Sequence, residues 1–511
     1  MKTAEIFGDA MILQQGKPVA VWGSAAPGMQ VNVRIQSKEA QTKAGEDGYW
    51  RVILPALDVS FQETMEITGE GTTGTEYIRY QDIAVGEVWL AGGQSNMEYQ
   101  MFFDEEKEQE KEKNDAPHIR VYCVPKVSYE GQGEPDGQPW SGFWRKCTRD
   151  DLDYFTAAGY YFARKMEDAL QVPIGGSDCT WGGTRACCWM TEEAIMDAGG
   201  ERWIRDYQEG LDRIDAVKEA QHYRADPAHA PSDPFADEEG NRVMYPGISR
   251  EEQEKIVSSD SQDMVIGTCH PWRPTGLFYT MLRKIFPYTV KGIIYYQGEA
   301  DDLHAELYEK MLTGLIRLWR KEGGEELPFL MVQLAPFESW FDCSGKRFPE
   351  VRAAQQAVAD REPGVWLASN GDAGMRYDIH PKRKRPAGER LALLALGHVY
   401  GGNVVCDAPV FDYAEWEGKT IVLHFANVRR FCLRGDKINA LKVESDGKEL
   451  DAAAYSAEIR EDLIRITPEK GSRGQKVRIS FAETPFYEIN LFNEAGLPVL
   501  PFDTEYYQSH A

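Results

Sequence analysis

Residues 85–97 have the sequence VGEVWLAGGQSNM, in which a mostly apolar run ends at two glycines and a polar segment. The run over 85–91 predicts a buried strand of a parallel sheet, because such strands are short apolar runs bounded by turn residues. Ser95 would then follow the carboxyl end of that strand, where open α/β sheets place their active sites. The pattern is not the G-x-S-x-G elbow of the α/β-hydrolases, because Met97 occupies the last position.

The same alternation of strand and helix continues to about residue 400. Apolar strand-like runs are followed by stretches with helical spacing, and this order is typical of an α/β domain with a parallel sheet. We therefore predict an α/β domain over residues 85–401. Residues of about 191–270 are charged and proline-containing, and they are predicted to form an insertion that is helical over 203–221 and a loop elsewhere.

Both ends of the chain have a different pattern, with short β-branched or aromatic runs separated by turn residues. Strands of this kind at regular spacing favour a small all-β unit. We predict a β-sandwich over residues 1–84 and a C-terminal β domain over residues 402–511.

Composition limits the function classes. The 511 residues carry a formal net charge of −25, which is a poor match to a nucleic acid backbone or an anionic membrane surface. The start of the chain does not have the pattern of a secretory signal, and the nine cysteines form no C-x-x-C pair, so we expect reduced thiols in a cytoplasmic protein. No two histidines are four residues apart, so H-E-x-x-H zinc chemistry is absent. A metal site assembled from distant residues stays open but has no support in the sequence, and we expect no metal or cofactor.

Four polar segments follow predicted strands or lie in strand-to-helix loops, namely GGQSNM (92–97), WGGT (181–184), QGEAD (297–301) and YDIHP (377–381). Each segment has an ordinary structural explanation, such as a helix cap or a turn. Together they contain a serine, glycine N–H groups, an amide and a histidine. These are the groups that nucleophilic acyl transfer needs.

The motifs resemble the SGNH (GDSL-type) hydrolase superfamily and, within it, the sialate O-acetylesterase family. The segments that carry the resemblance are MILQ (11–14), GEVWL (86–90), GQSNM (93–97), GYYFA (159–163), WGGT (181–184), YQGE (296–299), IHP (379–381), GERLA (388–392) and LFNEAGLP (491–498). They extend over nearly the whole chain. The resemblance implies a three-layer α/β/α domain flanked by an N-terminal β-sandwich and a C-terminal β segment.

The resemblance also implies site roles. Ser95 would be the nucleophile and His380 the general base. Oxyanion donors would be the Ser95 N–H, an N–H of Gly182 or Gly183, and the Gln297 amide. Substrate contacts would come from Gln94, Asn96, Arg185 and Glu299.

The resemblance does not identify the triad acid as directly as it identifies the serine and the histidine. Many members of the superfamily have Asp three residues before the histidine, where this chain has Tyr377. We therefore expect Asp378 to be the acid. Asp372 is the second candidate, and a Ser–His dyad without an acid is the third alternative.

The implied activity is removal of O-acetyl groups from sugars, most of all from sialic acid, without a cofactor. A sialic acid carries a carboxylate, which Arg185 or the basic run 382–385 could bind, although that run is more typical of a solvated turn. Neutral acetylated glycans such as xylan are the alternative substrates. A non-catalytic carbohydrate-binding protein is a second alternative, and a lipase or thioesterase is disfavoured because nothing indicates a long apolar groove.

Overall fold

The computed structural model describes residues 1–72, 74–113, 116–132, 141–215, 217–219, 221, 244, 248–257, 266–341, 343–468, 476–504 and 507–508. Three regions follow one another along the chain: an N-terminal β region, a central α/β domain and a C-terminal β domain. This architecture confirms the predicted fold class. The exact domain boundaries stay predictions.

The N-terminal region is a sandwich of short strands. Its strands are β1 (Lys2–Thr3), β2 (Ile12–Gln14), β3 (Val19–Ser24), β4 (Gln30–Ile35), β5 (Lys38–Lys43), β6 (Tyr49–Leu54), β7 (Ser60–Gly71) and β8 (Gly74–Gly93). One sheet has the order β1-β3-β6, and in the other β4 pairs with β5 and β7, which in turn pairs with β8. Burial alternates along β4 and β6, so one face of each strand points into the core.

Strand β8 continues into the central domain, where it lies in the middle of the main sheet. The order is β10-β9-β11-β8-β12-β13-β16. The added strands are β9 (Ala116–Cys123), β10 (Trp144–Cys147), β11 (Ile174–Thr180), β12 (Gly292–Tyr296), β13 (Phe329–Val332) and β16 (Val365–Ala368). All neighbours pair in parallel except β10, which pairs antiparallel with β9. A two-stranded ribbon, β14 (Ser339–Trp340) with β15 (Cys343–Ser344), precedes β16.

Helices cover both faces of this sheet. Trp89 and Gly92 are three residues apart on β8, so they face opposite sides. Trp89 packs against Phe162 with ring centroids 5.1 Å apart, whereas Gly92 lies against the ring of Trp319. Phe162 belongs to helix Ala157–Leu170 and Trp319 to helix Ala305–Gly323. The central domain therefore has the predicted three layers.

Capping residues and turn residues determine where several of the helices begin and end. Thr156 caps helix Ala157–Leu170 by accepting the Gly159 N–H, and Gly324 ends helix Ala305–Gly323 in the left-handed conformation. The remaining α-helices are Ser95–Glu98, Lys107–Lys113, Glu192–Asp197, Glu201–Leu211, Arg250–Val257, Arg283–Ile285, Phe348–Arg361 and Arg385–Leu394. The 3-10 helices are Met101–Phe103, Leu152–Tyr154, Ala186–Trp189, Glu299–His304, Gly345–Arg347 and Ala452–Ala454, and π-helices span Phe278–Leu282 and Ala395–Val399.

The described part of the predicted insertion contains the helices Glu192–Asp197, Glu201–Leu211 and Arg250–Val257, and a turn joins the first two. The helix expected over 203–221 thus begins at Glu201 and ends at Leu211, with helical residues again at 217–219 and 221. The proline-containing loop expected at 226–237 lies outside the described residues.

The C-terminal domain has an apolar core of its own, separate from the core that the first two regions share. One sheet contains β17 (Val410–Glu417), β18 (Thr420–Ala426), β23 (Leu463–Pro468) and β22 (Tyr455–Arg460). The second contains β21 (Lys448–Glu449), β20 (Leu441–Ser445), β24 (Lys476–Phe481), β26 (Phe502–Asp503) and β27 (Tyr507–Gln508), and β19 (Cys432–Leu433) pairs with β25 (Leu491–Phe492). Arg352 of the central domain donates to the carbonyls of Thr484 and Pro485, which joins the two domains.

Among the described helices, none is long and apolar enough to cross a bilayer. All nine cysteines are free thiols, seven of them buried. The cytoplasmic location expected from the sequence stays a prediction.

Candidate active site

Three parallel strands end together at the carboxyl edge of the central sheet. Gly93, the last residue of β8, pairs with Thr180 at the end of β11 and with Tyr296 at the end of β12. The loops after these strands therefore begin side by side. Only glycine fits at position 93, because its φ is 137° and a Cβ atom would lie 2.2 Å from the Tyr296 carbonyl oxygen.

Ser95 and His380 meet at this edge although 285 positions separate them in the chain. Ser95 begins the short helix that follows β8, and its side chain is partly exposed. The Ser95 Oγ lies 2.9 Å from His380 Nε2, within hydrogen-bond distance. A serine hydroxyl in contact with an imidazole is the arrangement that activates a serine nucleophile.

Aromatic rings hold the imidazole of His380 in place. Trp340 meets it edge-on with ring centroids 5.1 Å apart, and Tyr99 stacks on it at 6.4 Å. Burial and the charges of Lys382 and Lys384 lower the pKa of His380 well below its ordinary value. The imidazole is consequently neutral near pH 7 and can accept the Ser95 proton.

The two candidate acids have different surroundings. Asp378 is buried beside His380: its Oδ1 accepts the His380 main-chain N–H at 2.8 Å and lies 3.8 Å from the ring Nδ1. The other carboxylate oxygen pairs with Lys382 Nζ at 2.9 Å. Asp372 instead accepts two hydrogen bonds from Arg390, at 2.6 and 2.8 Å. The structure therefore places Asp378, not the reserve candidate, next to the histidine, but 3.8 Å exceeds the length of a hydrogen bond to the ring.

The predicted glycine donors lie beside the nucleophile. A Cβ on Gly182 would lie 3.5 Å from Ser95 Cβ, and the Gly182 carbonyl accepts the indole N–H of Trp272 at 2.8 Å. That bond fixes the peptide plane whose N–H belongs to Gly183. Among the described residues, the N–H groups of Ser95, Gly182 and Gly183 have no hydrogen-bond partner, so both glycines stay candidate donors. They are thus available to a carbonyl oxygen bound at Ser95.

Gln297 does not have the predicted oxyanion role in this geometry. It is fully buried, and its Nε2 donates to Asp301 at 2.5 Å, to the Thr184 carbonyl at 3.2 Å and to Gln94 at 3.3 Å. An amide has two hydrogens, so three acceptors inside the protein leave none for a substrate. Gln297 instead ties the loop after β12 to the loop after β11.

Three predicted substrate contacts are likewise buried, and the structure corrects their roles too. Gln94 accepts the Ala300 N–H at 3.1 Å. Asn96 donates to Glu299 at 2.6 Å and to the Ile379 carbonyl at 2.9 Å, which uses both of its amide hydrogens. Gln94, Asn96 and Glu299 are each at most 5% exposed, so they support the site from beneath.

A lysine completes this support. Lys384 Nζ donates to Asn96 Oδ1, and it lies 4.4 Å from the centre of the Tyr99 ring. Burial lowers the pKa of Lys384 to about 7 and raises the pKa of Glu299 to about 7. The buried hydrogen-bonded chain of Lys384, Asn96 and Glu299 is named here the Asn96 bridge. It supports the helix that begins with Ser95 from its buried side.

The basic run 382–385 is therefore not a solvated turn, nor is it open to a substrate carboxylate. Lys382 and Lys384 are buried against Asp378 and Asn96, and Arg385 pairs with Glu106 and Glu110. Only Arg383 of this run has a side chain that is more than half exposed. The sequence showed four adjacent cations but not the acids packed around them.

Arg185 is half-buried at the rim of the site. Its guanidinium lies over the Trp203 ring, 5.1 Å from the ring centre. Burial raises the pKa of both Asp301 and Asp302 to about 6, and the charge of Arg185 opposes that rise. Unlike the buried lysines of the run 382–385, Arg185 stays a candidate for binding a substrate carboxylate.

Two tryptophans near the site were not among the sequence candidates. Trp340 packs on His380, and Trp272 packs on Gly183, where a Cβ would lie 2.2 Å from its ring. The Trp272 main-chain N–H donates to His270 at 3.0 Å. With 13 tryptophans in the chain, the sequence gives no signal that distinguishes these two.

Comparisons with known proteins match this chain to carbohydrate esterases. Residues 267–392 match the family described as carbohydrate esterase, sialic acid-specific acetylesterase. Sialate O-acetylesterase of Mus musculus is 27% identical over 433 residues, which are 78% of this chain and 73% of that protein. The Homo sapiens sialate O-acetylesterase is 26% identical over 450 residues, which are 81% of this chain and 74% of that protein. A crystal structure of a carbohydrate acetylesterase from Xanthomonas citri is 27% identical, covers 99% of both chains and has a TM-score of 0.75.

Proposed function

We propose that this chain, which resembles the sialic acid-specific acetylesterases and the carbohydrate acetylesterase described above, removes O-acetyl groups from sugars with Ser95 as nucleophile. The observation that carries the serine mechanism is the 2.9 Å contact between Ser95 Oγ and His380 Nε2 at the carboxyl edge of the sheet. The sugar is proposed to be a sialic acid, because the family and the curated relatives are named for that substrate.

The geometry suits a two-step acyl transfer. Neutral His380 takes the Ser95 proton as Oγ attacks the acetyl carbonyl carbon, and the carbonyl oxygen becomes an anion. The N–H groups of Ser95 and Gly182 stabilise that anion, and one such donor is typically worth about 3–4 kcal/mol of barrier. Protonated His380 then gives its proton to the leaving sugar oxygen as the carbon–oxygen bond breaks, which releases the sugar hydroxyl. Water, deprotonated by His380, cleaves the acetyl-serine in the same way and releases acetate.

Asp378 acts on His380 in two ways in this proposal. It holds the main chain of the histidine through the 2.8 Å hydrogen bond, and its charge lies 3.8 Å from the ring nitrogen. The imidazolium that forms during the reaction is therefore stabilised by charge rather than by a short hydrogen bond. Lys382 weakens that stabilisation because it pairs with the same carboxylate.

The test of the serine mechanism is Ser95→Ala, assayed on p-nitrophenyl acetate and on an O-acetylated sialic acid. We expect turnover to fall by about 10⁴-fold or more, because a triad without its nucleophile retains little beyond binding and oxyanion stabilisation. Circular dichroism should show an unchanged fold, since the substitution removes one partly exposed hydroxyl. Ser24→Ala, at an exposed position of β3, is the matched control. Turnover close to that of the unmodified chain in Ser95→Ala would remove Ser95 from the mechanism.

Arg185 is the proposed contact for the sialate carboxylate, because the lysines at 382 and 384 are already paired inside the protein. In Arg185→Met, KM for an O-acetylated sialic acid should rise by about 10-fold or more, since charge-assisted hydrogen bonds are worth roughly 1.5–3 kcal/mol. Turnover of acetylated xylan, which lacks the carboxylate, should not change. Arg202→Met, at a half-exposed arginine on the neighbouring helix, is the control. Equal and unchanged KM values for both substrates would show that Arg185 does not select sialate.

A further inference from the structure

A second cluster of reactive side chains lies away from the catalytic serine, where the central domain leads into the C-terminal domain. His398 Nε2 lies 2.8 Å from an oxygen of Asp407, and Cys406 Sγ lies 3.5 Å from His398 Nε2 and 3.5 Å from the other Asp407 oxygen. His398 belongs to the π-helix Ala395–Val399, and the other two residues precede β17. The esterase mechanism uses none of these groups.

The spacing of the three side chains is close to that of a tetrahedral metal site. With Zn–S bonds of about 2.3 Å and Zn–N and Zn–O bonds of about 2.0–2.1 Å, sulfur lies about 3.5 Å from nitrogen or oxygen, and nitrogen about 3.3 Å from oxygen. With Asp407 Oδ2 as the oxygen ligand, the two distances from Cys406 Sγ match these values. The 2.8 Å contact of His398 Nε2 is made with the other oxygen, Oδ1, and one ligand atom from each of the three residues lies within 4.8 Å of the other two.

The surroundings hold the ligands and leave access from solvent. The His398 ring stacks on Trp366 with centroids 4.7 Å apart and planes 12° apart, so its orientation is fixed. The side chains of His398 and Asp407 are about one-quarter and one-third exposed, at 27% and 33%. A Cβ at position 397 would lie 2.4 Å from Cys406 Sγ, so Gly397 leaves the space that the thiol occupies.

We propose that His398, Cys406 and Asp407 form a binding site for a divalent transition-metal ion of the zinc class, with a fourth position open to water. Thiolate, imidazole and carboxylate are ligands that zinc accepts together, whereas magnesium and calcium take oxygen ligands. The site is separate from the acetylesterase chemistry and does not depend on the proposed function.

The position of the cluster indicates a structural role for the ion. The Asp407 carbonyl accepts the Asn493 side chain at 3.3 Å, and the Ala408 carbonyl accepts the Asn427 side chain at 3.2 Å. A metal held by His398 and Asp407 would therefore link the last helical segment of the central domain to residues already bonded to the C-terminal domain. Metal binding to the folded chain then stabilises this joint, because an unfolded chain has no such preformed site.

The experiment is titration of the chelator-treated, full-length protein with cobalt(II), a spectroscopic substitute for zinc. We expect one equivalent to bind with a thiolate-to-cobalt charge-transfer absorption in the near ultraviolet, zinc to abolish the band by displacement, and the melting temperature to rise. Cys406→Ser should remove the band, and His398→Gln should weaken cobalt affinity by about 10-fold or more, since ligand loss typically costs at least as much as the 10–100-fold loss seen for outer-shell partners. Cys432→Ser, at an exposed cysteine of the C-terminal domain, should leave the titration unchanged.

Either of two results would overturn the proposal: cobalt binding without a thiolate band, or a band that persists in Cys406→Ser. Turnover of p-nitrophenyl acetate serves as a measure of folding in every variant, because none of the three residues contacts Ser95 or His380 in the described structure. A variant with normal turnover and no cobalt band would show that the loss is local to the cluster.

Discussion

The catalytic edge of the sheet has two layers that differ in what their polar side chains do. In the upper layer, Ser95 is partly exposed and its hydroxyl contacts His380. In the lower layer, Gln297 and the Asn96 bridge are buried and make their hydrogen bonds within the protein. Both layers come from the same short motifs, since Ser95 and Asn96 are adjacent. Neighbours in a motif therefore have opposite surroundings, since the proposed nucleophile is partly exposed and the next residue is buried beneath it.

The difference shows what sets a catalytic side chain apart from a supporting one. A supporting amide has all of its hydrogens bonded inside the protein, as Gln297 and Asn96 do. The groups proposed for chemistry keep a donor without a partner among the described residues, as the N–H groups of Ser95 and Gly182 do. Substitutions in the two layers should consequently fail in different ways, the upper in turnover and the lower in stability.

The largest expected effect is in the upper layer. His380→Gln should lower kcat/KM for p-nitrophenyl acetate by about 10⁴-fold, because the variant has no base that can take and return the serine proton. Steady-state kinetics at saturating and limiting ester concentration measure this loss. The control is His118→Gln, which changes a histidine on β9. A loss of less than about 10-fold would mean that the 2.9 Å contact is not the catalytic one.

The next effect is in the lower layer and concerns stability. Asn96→Ala removes the side chain between Lys384 and Glu299, which leaves two buried ionisable groups without their bridge. The free energy of unfolding should fall by roughly 3 kcal/mol, measured by urea denaturation. Asn403→Ala, at an exposed loop position, should change it by less than about 0.5 kcal/mol. If Asn96→Ala keeps its stability and loses only turnover, the two layers are not distinct in the way proposed.

The order of strands and loops that builds this site could be predicted from the sequence. The division of its side chains into an exposed and a buried layer could not. The strand predicted over 85–91 lies within β8, which runs from Gly74 to Gly93, so the strand was recognised but both of its ends were misplaced. Ser95 follows its carboxyl end, as expected, because turn residues mark where strands end. The β-rich ends were visible from the same patterns, as β3, β4 and β6 show. That order of strands and loops fixes which loops meet, and it brings Ser95 and His380 to one edge.

Side-chain roles could not be predicted because they depend on packing between distant segments. Nothing local to Gln297 indicates that Asp301, Thr184 and Gln94 would use its amide. The run 382–385 has the composition of a solvated turn, and only the tertiary structure supplies its buried acids. The His398 cluster was missed for a related reason, since its ligands are eight and nine residues apart and no short zinc motif has that spacing.

A smaller effect separates the two candidate acids. Asp378→Asn should lower kcat by about 10–100-fold, less than the roughly 10⁴-fold loss known for a carboxylate bonded directly to the ring, because Asp378 lies 3.8 Å from His380 Nδ1. Asp372→Asn should leave kcat within a few-fold and lower stability instead, since it weakens the Arg390 pair. Pre-steady-state and denaturation measurements on both variants distinguish the outcomes. The reverse order of effects on kcat would make Asp372 the acid.

The smallest expected effect is a shift in pH dependence that links the two layers. Burial, Lys382 and Lys384 hold the pKa of His380 below 6.5, so the base stays neutral as the pH falls below 6.5 and kcat/KM declines only through that lower pKa. Lys382→Met removes one positive charge and leaves Asp378 without its lysine, and both changes raise the pKa of the imidazole. The acidic limb of the kcat/KM profile should therefore move to higher pH, whereas Arg383→Met, at the exposed neighbour, should leave it in place. The measurement is the kcat/KM profile for p-nitrophenyl acetate between about pH 4 and pH 8. An acidic limb that does not move in Lys382→Met would show that this lysine does not influence the pKa of His380.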